Sequence, residues 1–155
     1  MSELKPGDKA PDFTLPADGG RQVSLRELKG KSVVLYFYPK DDTPGCTKEA
    51  IGFSEHIDAF DAENTVVIGL SKDTVAKHDK FRDKHELKVM LASDEDGVVT
   101  EAYGAWVEKN MYGRKYMGIE RCTYLIGPDG VIQKVWRKVK VKGHVEAVLD
   151  AVKSA

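Results

Sequence analysis

The sequence predicts an α/β protein: one three-layer domain built on a central mixed sheet. Three observations carry this. Residues 33–38 (Val-Val-Leu-Tyr-Phe-Tyr) and 66–70 (Val-Val-Ile-Gly-Leu) are continuously apolar and rich in sheet formers, as strands covered on both faces are. A helical pattern follows each of them. The chain then closes with a hairpin and a helix, so parallel and antiparallel pairings share one sheet. With 155 residues and no internal repeat, linker or low-complexity tract, a single domain over residues 1–155 is expected.

In chain order, the first twenty residues are rich in turn formers, with residues 13–15 as a short edge strand. Residues 24–28 read as one helical turn capped by Ser24. Pro39, which cannot donate a ladder hydrogen bond, stops the strand at 33–38. A helix starts near Pro44, with Thr43 as cap and proline at the first helical position. Its apolar stripe is Ala50, Phe53, Ile57 and Phe60, and Glu49, Glu55 and Asp58 fall outside it. Residues 71–87 read as a polar helix anchored by Val75 and Phe81, and residues 98–103 as a short helical piece. Residues 104–120 read as irregular, and their Trp106, Met111, Tyr112, Tyr116 and Met117 should pack back on the body or line a site. Residues 123–126 and 131–136 flank Gly127-Pro128-Asp129-Gly130, strong turn chemistry for a hairpin. The last helix, residues 144–153, carries Val145, Val148, Leu149 and Val152 on one face.

The formal net charge of −1 implies no general attraction to nucleic acid or to an anionic membrane. No apolar run approaches a membrane span, and the opening residues lack the apolar stretch of a secretory signal, so a cytoplasmic location is expected. The histidines His56, His78, His85 and His144 show no ligand spacing, and His56 and His78 read as helix-surface residues, so no metal site is expected. The basic stretch 134–142 reads as an edge strand with solvent-facing lysines; docking of an acidic reductant or of a nucleic-acid backbone is the weaker alternative.

Two cysteines are present, Cys46 and Cys122, with no CxxC pair between them. With Thr43 as cap, Cys46 is the third helical position, and its amide is placed to donate to the Thr43 hydroxyl. A thiol there lies among unpaired amides at the positive end of the helix dipole, which favours the thiolate that attacks substrates. Gly45 would let a small substrate approach the sulfur, and Pro39 and Pro44 bracket a stiff loop.

The pattern Pro39-x-x-x-Thr43-x-x-Cys46 resembles the active-site signature of the peroxiredoxins. The longer stretch 31–50, the opening Ala10-Pro11-Asp12-Phe13-Thr14-Leu15 and the segment Gly118-Ile119-Glu120-Arg121 resemble the bacterioferritin comigratory protein branch, also called PrxQ. The likeness runs over nearly the whole chain. It implies a thioredoxin-like fold and an antioxidant oxidoreductase, a thiol-dependent peroxidase that reduces hydrogen peroxide and organic hydroperoxides without cofactor. It also implies that Cys46 is the peroxidatic nucleophile, that Thr43 orients the peroxide, that Pro39 shields the pocket and that Arg121 stabilises the thiolate and the departing oxygen. Glu49 is one turn past Cys46; it reads either as holding Arg121 or the loop, or as a plain solvent-facing glutamate.

Many members of the branch carry a second cysteine at the position of Ile51, and others near residues 81–83; neither is present. Cys122 directly follows Arg121, and adjacent strand residues point to opposite faces, so Cys122 is expected to be a buried core thiol and not a resolving cysteine. A one-cysteine cycle follows, with thioredoxin, glutaredoxin or glutathione as the external thiol. A monomer is expected, with a weak dimer as the alternative. The competing functional class is an oxidation-sensitive binding or chaperone-like protein on the same fold.

Overall fold

The protein was analysed as a computed structural model that describes residues 4–154. Among the described residues there are fourteen helices and strands, apart from 3-10 turns. In order they are β1 (Thr14–Pro16), β2 (Gln22–Ser24), β3 (Ser32–Phe37), α1 (Pro44–Glu55), α2 (Ile57–Ala62), β4 (Thr65–Ser71), α3 (Val75–His85), β5 (Met90–Ser93), α4 (Val98–Ala102), β6 (Trp106–Met111), β7 (Arg114–Ile119), β8 (Cys122–Ile126), β9 (Ile132–Trp136) and α5 (His144–Ser154).

The central sheet has the order β5-β4-β3-β8-β9. β3 pairs parallel to β4, and β4 to β5, whereas β8 joins β3 antiparallel and β9 joins β8 antiparallel. The mixed sheet expected from the sequence is therefore present. Strand alternation sorts β3 between two cores. Val34, Tyr36 and Tyr38 pack with Phe53 of α1, Phe60 of α2, Phe81 of α3 and Val148 of α5. Val33, Leu35 and Phe37 pack on the other side with Phe13, Leu15, Val23, Val99 and Tyr103. Helices α1, α2, α3 and α5 thus cover one face, and the β1–β2 hairpin with α4 covers the other. Both faces being dry explains why β3 reads as an unbroken apolar run.

The structure corrects several readings. Residues 104–120 are not irregular: β6 and β7 form a two-stranded antiparallel hairpin of their own. Its two-residue turn, Tyr112-Gly113, has both residues at positive φ (54° and 78°), the geometry that suits the twist of a tight hairpin. The strands Trp-Val-Glu-Lys-Asn-Met and Arg-Lys-Tyr-Met-Gly-Ile lack clean apolar alternation because much of the hairpin stands in solvent, with Tyr112 fully exposed. Residues 71–87 are not one helix. Ser71 ends β4, and α3 begins after Thr74, whose hydroxyl accepts from the Lys77 amide at 3.2 Å. The stripe from Ala50 to Phe60 spans two helices broken at His56. Ser24 precedes a 3-10 turn without capping it, and its hydroxyl is buried with no partner. His78 is buried, not on a surface, and His56 is half-buried with its ring against the Gly52 carbonyl at 2.9 Å. β9 is an edge strand as expected, but it ends at Trp136; Lys138, Lys140 and Lys142 lie in the exposed connection beyond it.

Candidate active site

The site is built where β3 hands the chain to α1. β3 ends at Phe37, exposed Pro39 follows, and the turn at 40–43 leads into the helix. Thr43 is the N-cap by backbone geometry, and Pro44 occupies the first helical position. Its hydroxyl, however, does not accept from the Cys46 amide. It donates to the Lys40 carbonyl at 2.9 Å and closes the turn on itself. Cys46 therefore lies in the first turn with its amide outside the expected cap bond.

Cys46 is 2 % exposed and faces Arg121, whose Nη2 donates to the sulfur at 3.3 Å. Arg121 sits in the link between β7 and β8, held by the Val139 amide donating to its carbonyl at 2.9 Å. Gly45 makes room for this approach: a Cβ there would lie 3.2 Å from Arg121 Nη2. The space that the sequence suggests for substrate beside Gly45 is thus taken by the guanidinium.

The other arm of the guanidinium, Nη1, donates to Glu49 Oε1 at 2.7 Å. Glu49 is completely buried, so it does not lie outside the apolar stripe of α1 as a solvent-facing residue. Its second oxygen, Oε2, has no hydrogen-bond partner. Burial pushes the Glu49 carboxyl up to about 7, against the opposing charge and hydrogen bond of Arg121. One flat cation therefore spans a carboxylate and a sulfur, a geometry that a lysine cannot reproduce. Glu120, the neighbour of Arg121 in the chain, meets Arg137 at 3.6 Å.

Cys122 begins β8, opposite Phe37 in register. It is fully buried, in the core on the other side of the sheet from Cys46. Burial pushes its thiol up to about 12. The two sulfurs are separated by the sheet, although residues 121 and 122 are neighbours in the chain.

Sequence reasoning missed the groups that hold the turn from behind. Asp41 is buried, accepting from the Tyr38 hydroxyl at 2.5 Å and pairing with His78 Nδ1 at 2.6 Å. Asp41, Asp73 and His78 bring ligand-type atoms within 4.8 Å of one another, but these atoms are turned to protein partners. The only local signal was a histidine one turn into a capped helix, which says nothing of a partner 37 residues away.

A first-turn cysteine facing a buried-carboxylate-bound arginine, on a mixed α/β sheet of this order, suits a thiol-dependent peroxidase with a thioredoxin-like fold. The profile of the AhpC/TSA family matches residues 6–135. A putative peroxiredoxin bcp of Coxiella burnetii is 55 % identical over 146 residues, covering 94 % of this chain and 97 % of that one. Peroxiredoxin Bcp of Bacillus subtilis is 48 % identical, over 95 % and 94 %. Among solved structures, a PrxQ mutant of Xylella fastidiosa superposes with a TM-score of 0.94 at 38 % identity, covering 99 % of this chain and 98 % of that one. The bacterioferritin comigratory protein of Xanthomonas campestris gives 0.89 at 41 %, covering 98 % and 96 %. The chain belongs to the AhpC/TSA family and, within it, to the Bcp/PrxQ branch of the peroxiredoxins. It is a peroxidase that reduces peroxides through a catalytic cysteine. Among the described residues no helix is long and apolar enough to cross a membrane.

Proposed function

We propose that Cys46 is the peroxidatic residue and that it works in a one-cysteine cycle completed by an external thiol. The observation that carries this reading is the pairing of opposites at Arg121 and Cys122: the arginine touches Cys46 Sγ at 3.3 Å, while the other cysteine is sealed in the far core. The Cys46 thiolate attacks one peroxide oxygen, the O–O bond breaks, and the second oxygen leaves as alkoxide or hydroxide and takes a proton. The sulfur becomes a sulfenic acid. Arg121 donates toward the charge that moves from sulfur to the leaving oxygen. Thr43, which closes the turn onto the Lys40 carbonyl, orients the peroxide, and Pro39 shields the entrance. An external thiol then attacks the sulfenic sulfur, releasing water and forming a mixed disulfide. A second thiol takes over that disulfide and returns Cys46 as thiolate.

Thioredoxin, glutaredoxin and glutathione are the candidate reductants, and hydrogen peroxide and organic hydroperoxides the substrates; the Xanthomonas relative is described for alkyl peroxide reduction. A monomer acting in the cytoplasm, without metal or nucleic acid, fits this chemistry. The test is turnover of hydrogen peroxide with each reductant on wild type, Cys46→Ser and Cys122→Ser. Turnover should vanish in the first variant and persist in the second, and mass spectrometry after one equivalent of peroxide should find a dimedone-trappable sulfenic acid on Cys46. A near-stoichiometric Cys46–Cys122 disulfide, or activity surviving Cys46→Ser, would overturn the reading.

A further inference from the structure

A second buried group of ionisable side chains stands behind the turn that delivers Cys46. His78, on α3, is wholly inaccessible to solvent. Its Nδ1 lies 2.6 Å from Asp41 Oδ2, and its Nε2 lies 2.9 Å from the carbonyl oxygen of Ala92 on β5. A carbonyl oxygen can only accept, so Nε2 must carry a proton. Nδ1 faces a carboxylate whose other oxygen already accepts from the Tyr38 hydroxyl at 2.5 Å. The ring nitrogens thus both face acceptors, an arrangement satisfied by an imidazolium and not by a neutral imidazole.

What this ion holds is the turn. Asp41 also donates its amide to Asp73 Oδ2 at 2.8 Å. The next residue, Asp42, has φ of 60°, a left-handed backbone that is unfavourable without glycine. It is kept there by Lys84 at 2.7 Å and His85 at 2.9 Å, both from α3. One residue further on is Thr43, closed onto the Lys40 carbonyl, and then the turn of helix that bears Cys46. Helix α3 therefore grips the turn from beneath, and the pair of His78 with Asp41 is a buried contact between them.

We propose that His78 is a positioning residue for Cys46: as a doubly protonated ring it clamps Asp41, fixes the turn at 40–43 and so keeps the sulfur opposite Arg121. The proposal rests on Cys46 being the peroxidatic residue. The charged and titratable groups that face the ring are Asp41 from the turn, Tyr38 beyond the end of β3 and Asp73 from the β4–α3 link; β5 contributes the Ala92 carbonyl. Burial alone would push the imidazole pKa down, but the hydrogen bond and charge of Asp41, the Ala92 carbonyl and the charge of Asp73 reverse this, and the net shift is upward. The clamp is then present below the raised value and is lost as pH rises through it, when a bare Nδ1 lone pair would face the carboxylate.

The experiment is stopped-flow oxidation of Cys46 by hydrogen peroxide between about pH 5.5 and 9.5, on wild type and His78→Gln, with the imidazole nitrogens followed by NMR. Glutamine can satisfy one acceptor but cannot titrate. The wild-type rate constant should fall on the alkaline side, in step with loss of one His78 proton. His78→Gln should be slower at neutral pH by roughly tenfold, because small misplacement of a reacting group costs that much, and should lack the alkaline fall. Profiles of the same shape in both proteins, or a singly protonated His78 ring at neutral pH, would overturn the proposal. If the variant does not fold, the wild-type NMR titration and rate profile decide it together, with coincidence in support and non-coincidence against. Cys46→Ser run alongside separates the two claims: peroxide consumption surviving in it defeats the peroxidatic assignment, whereas Cys46-dependent oxidation with no alkaline fall defeats the clamp alone.

Discussion

Arg121 and Glu49 form a 2.7 Å ion pair in which the carboxylate is fully buried and the guanidinium keeps its second arm for the Cys46 sulfur. The pair comes from elements 72 residues apart, the first turns of α1 and the link into β8. It ties the cysteine's helix to the far half of the sheet. A buried ion pair is weak evidence for net stability, but breaking one side of it is costly.

Arg121→Ala should therefore lower both stability and rate. Glu49 would be left buried without its cation, and the loss should be about 3 kcal/mol at alkaline pH. Near pH 5 it should be smaller, because the carboxyl with its raised pKa is then protonated. Arg121→Lys keeps the charge but cannot reach Oε1 and Sγ together. It should recover more of the stability than of the rate constant for peroxide. Urea unfolding and stopped-flow on both variants check this; equal recovery of both quantities by lysine would contradict it.

Glu49 sets a pH dependence with an unusual sign. Burial raises its folded value from 4.5 to about 7, so the folded protein holds the proton more tightly than the unfolded chain. Stability from this group is fully present below pH 4.5 and is lost as pH rises through 7, by an amount on the order of 3 kcal/mol. Glu49→Gln has no such proton to lose. The stability of wild type minus that of the variant should fall between pH 4.5 and 8, as measured by urea unfolding at each pH. A difference that grows over this range would mean the carboxylate is stabilised in the fold.

Cys122 should be chemically silent. With its thiol pushed up to about 12 and no exposed surface, it carries almost no thiolate at neutral pH. Iodoacetamide under native conditions should label Cys46 and spare Cys122. Cys122→Ala should keep peroxide turnover and lose roughly 1 kcal/mol of stability for the small cavity left beside Phe37. Loss of turnover in a folded Cys122→Ala protein would return this residue to the catalytic cycle.

Much of this architecture was legible because it depends on neighbours in sequence. β3 showed itself through an unbroken apolar run, and its alternation correctly parts Tyr36 from Phe37 into two cores. The helix start at Thr43-Pro44 followed from backbone preferences alone. The separation of Cys122 from Arg121 followed from strand alternation, even though Arg121 stands one residue before the strand. What was not legible depends on partners far along the chain. Glu49 looks like any helix glutamate until Arg121 is placed beside it, and His78 looks like a surface histidine until Asp41 and Ala92 close over it. The Thr43 hydroxyl had two local acceptor and donor choices, and the turn at Lys40 took it. The β6–β7 hairpin hid because its strands bury too little to impose an apolar period.

The contact of Gly69 with Tyr36 offers a test of how the sheet supports the cysteine's helix. The two residues are register partners on β4 and β3, and a Cβ on Gly69 would lie 2.6 Å from Tyr36 Cζ and Oη. Tyr36 cannot move aside freely: it is fully buried and stacks on Phe53 of α1 at 4.7 Å between centroids. Gly69→Ala should therefore cost about 1–3 kcal/mol by overpacking. Any shift of the ring presses on Phe53, seven residues along the helix from Cys46, so the peroxide rate constant should drop as well. The Tyr36 hydroxyl is buried without a hydrogen-bond partner, so Tyr36→Phe should cost little or nothing. It also removes one of the clashing atoms. The double variant Gly69→Ala/Tyr36→Phe should consequently be more stable than the sum of the single changes predicts, by roughly 1 kcal/mol in a double-mutant cycle. Strict additivity would show that the alanine is accommodated by backbone movement of β4 and not by the ring.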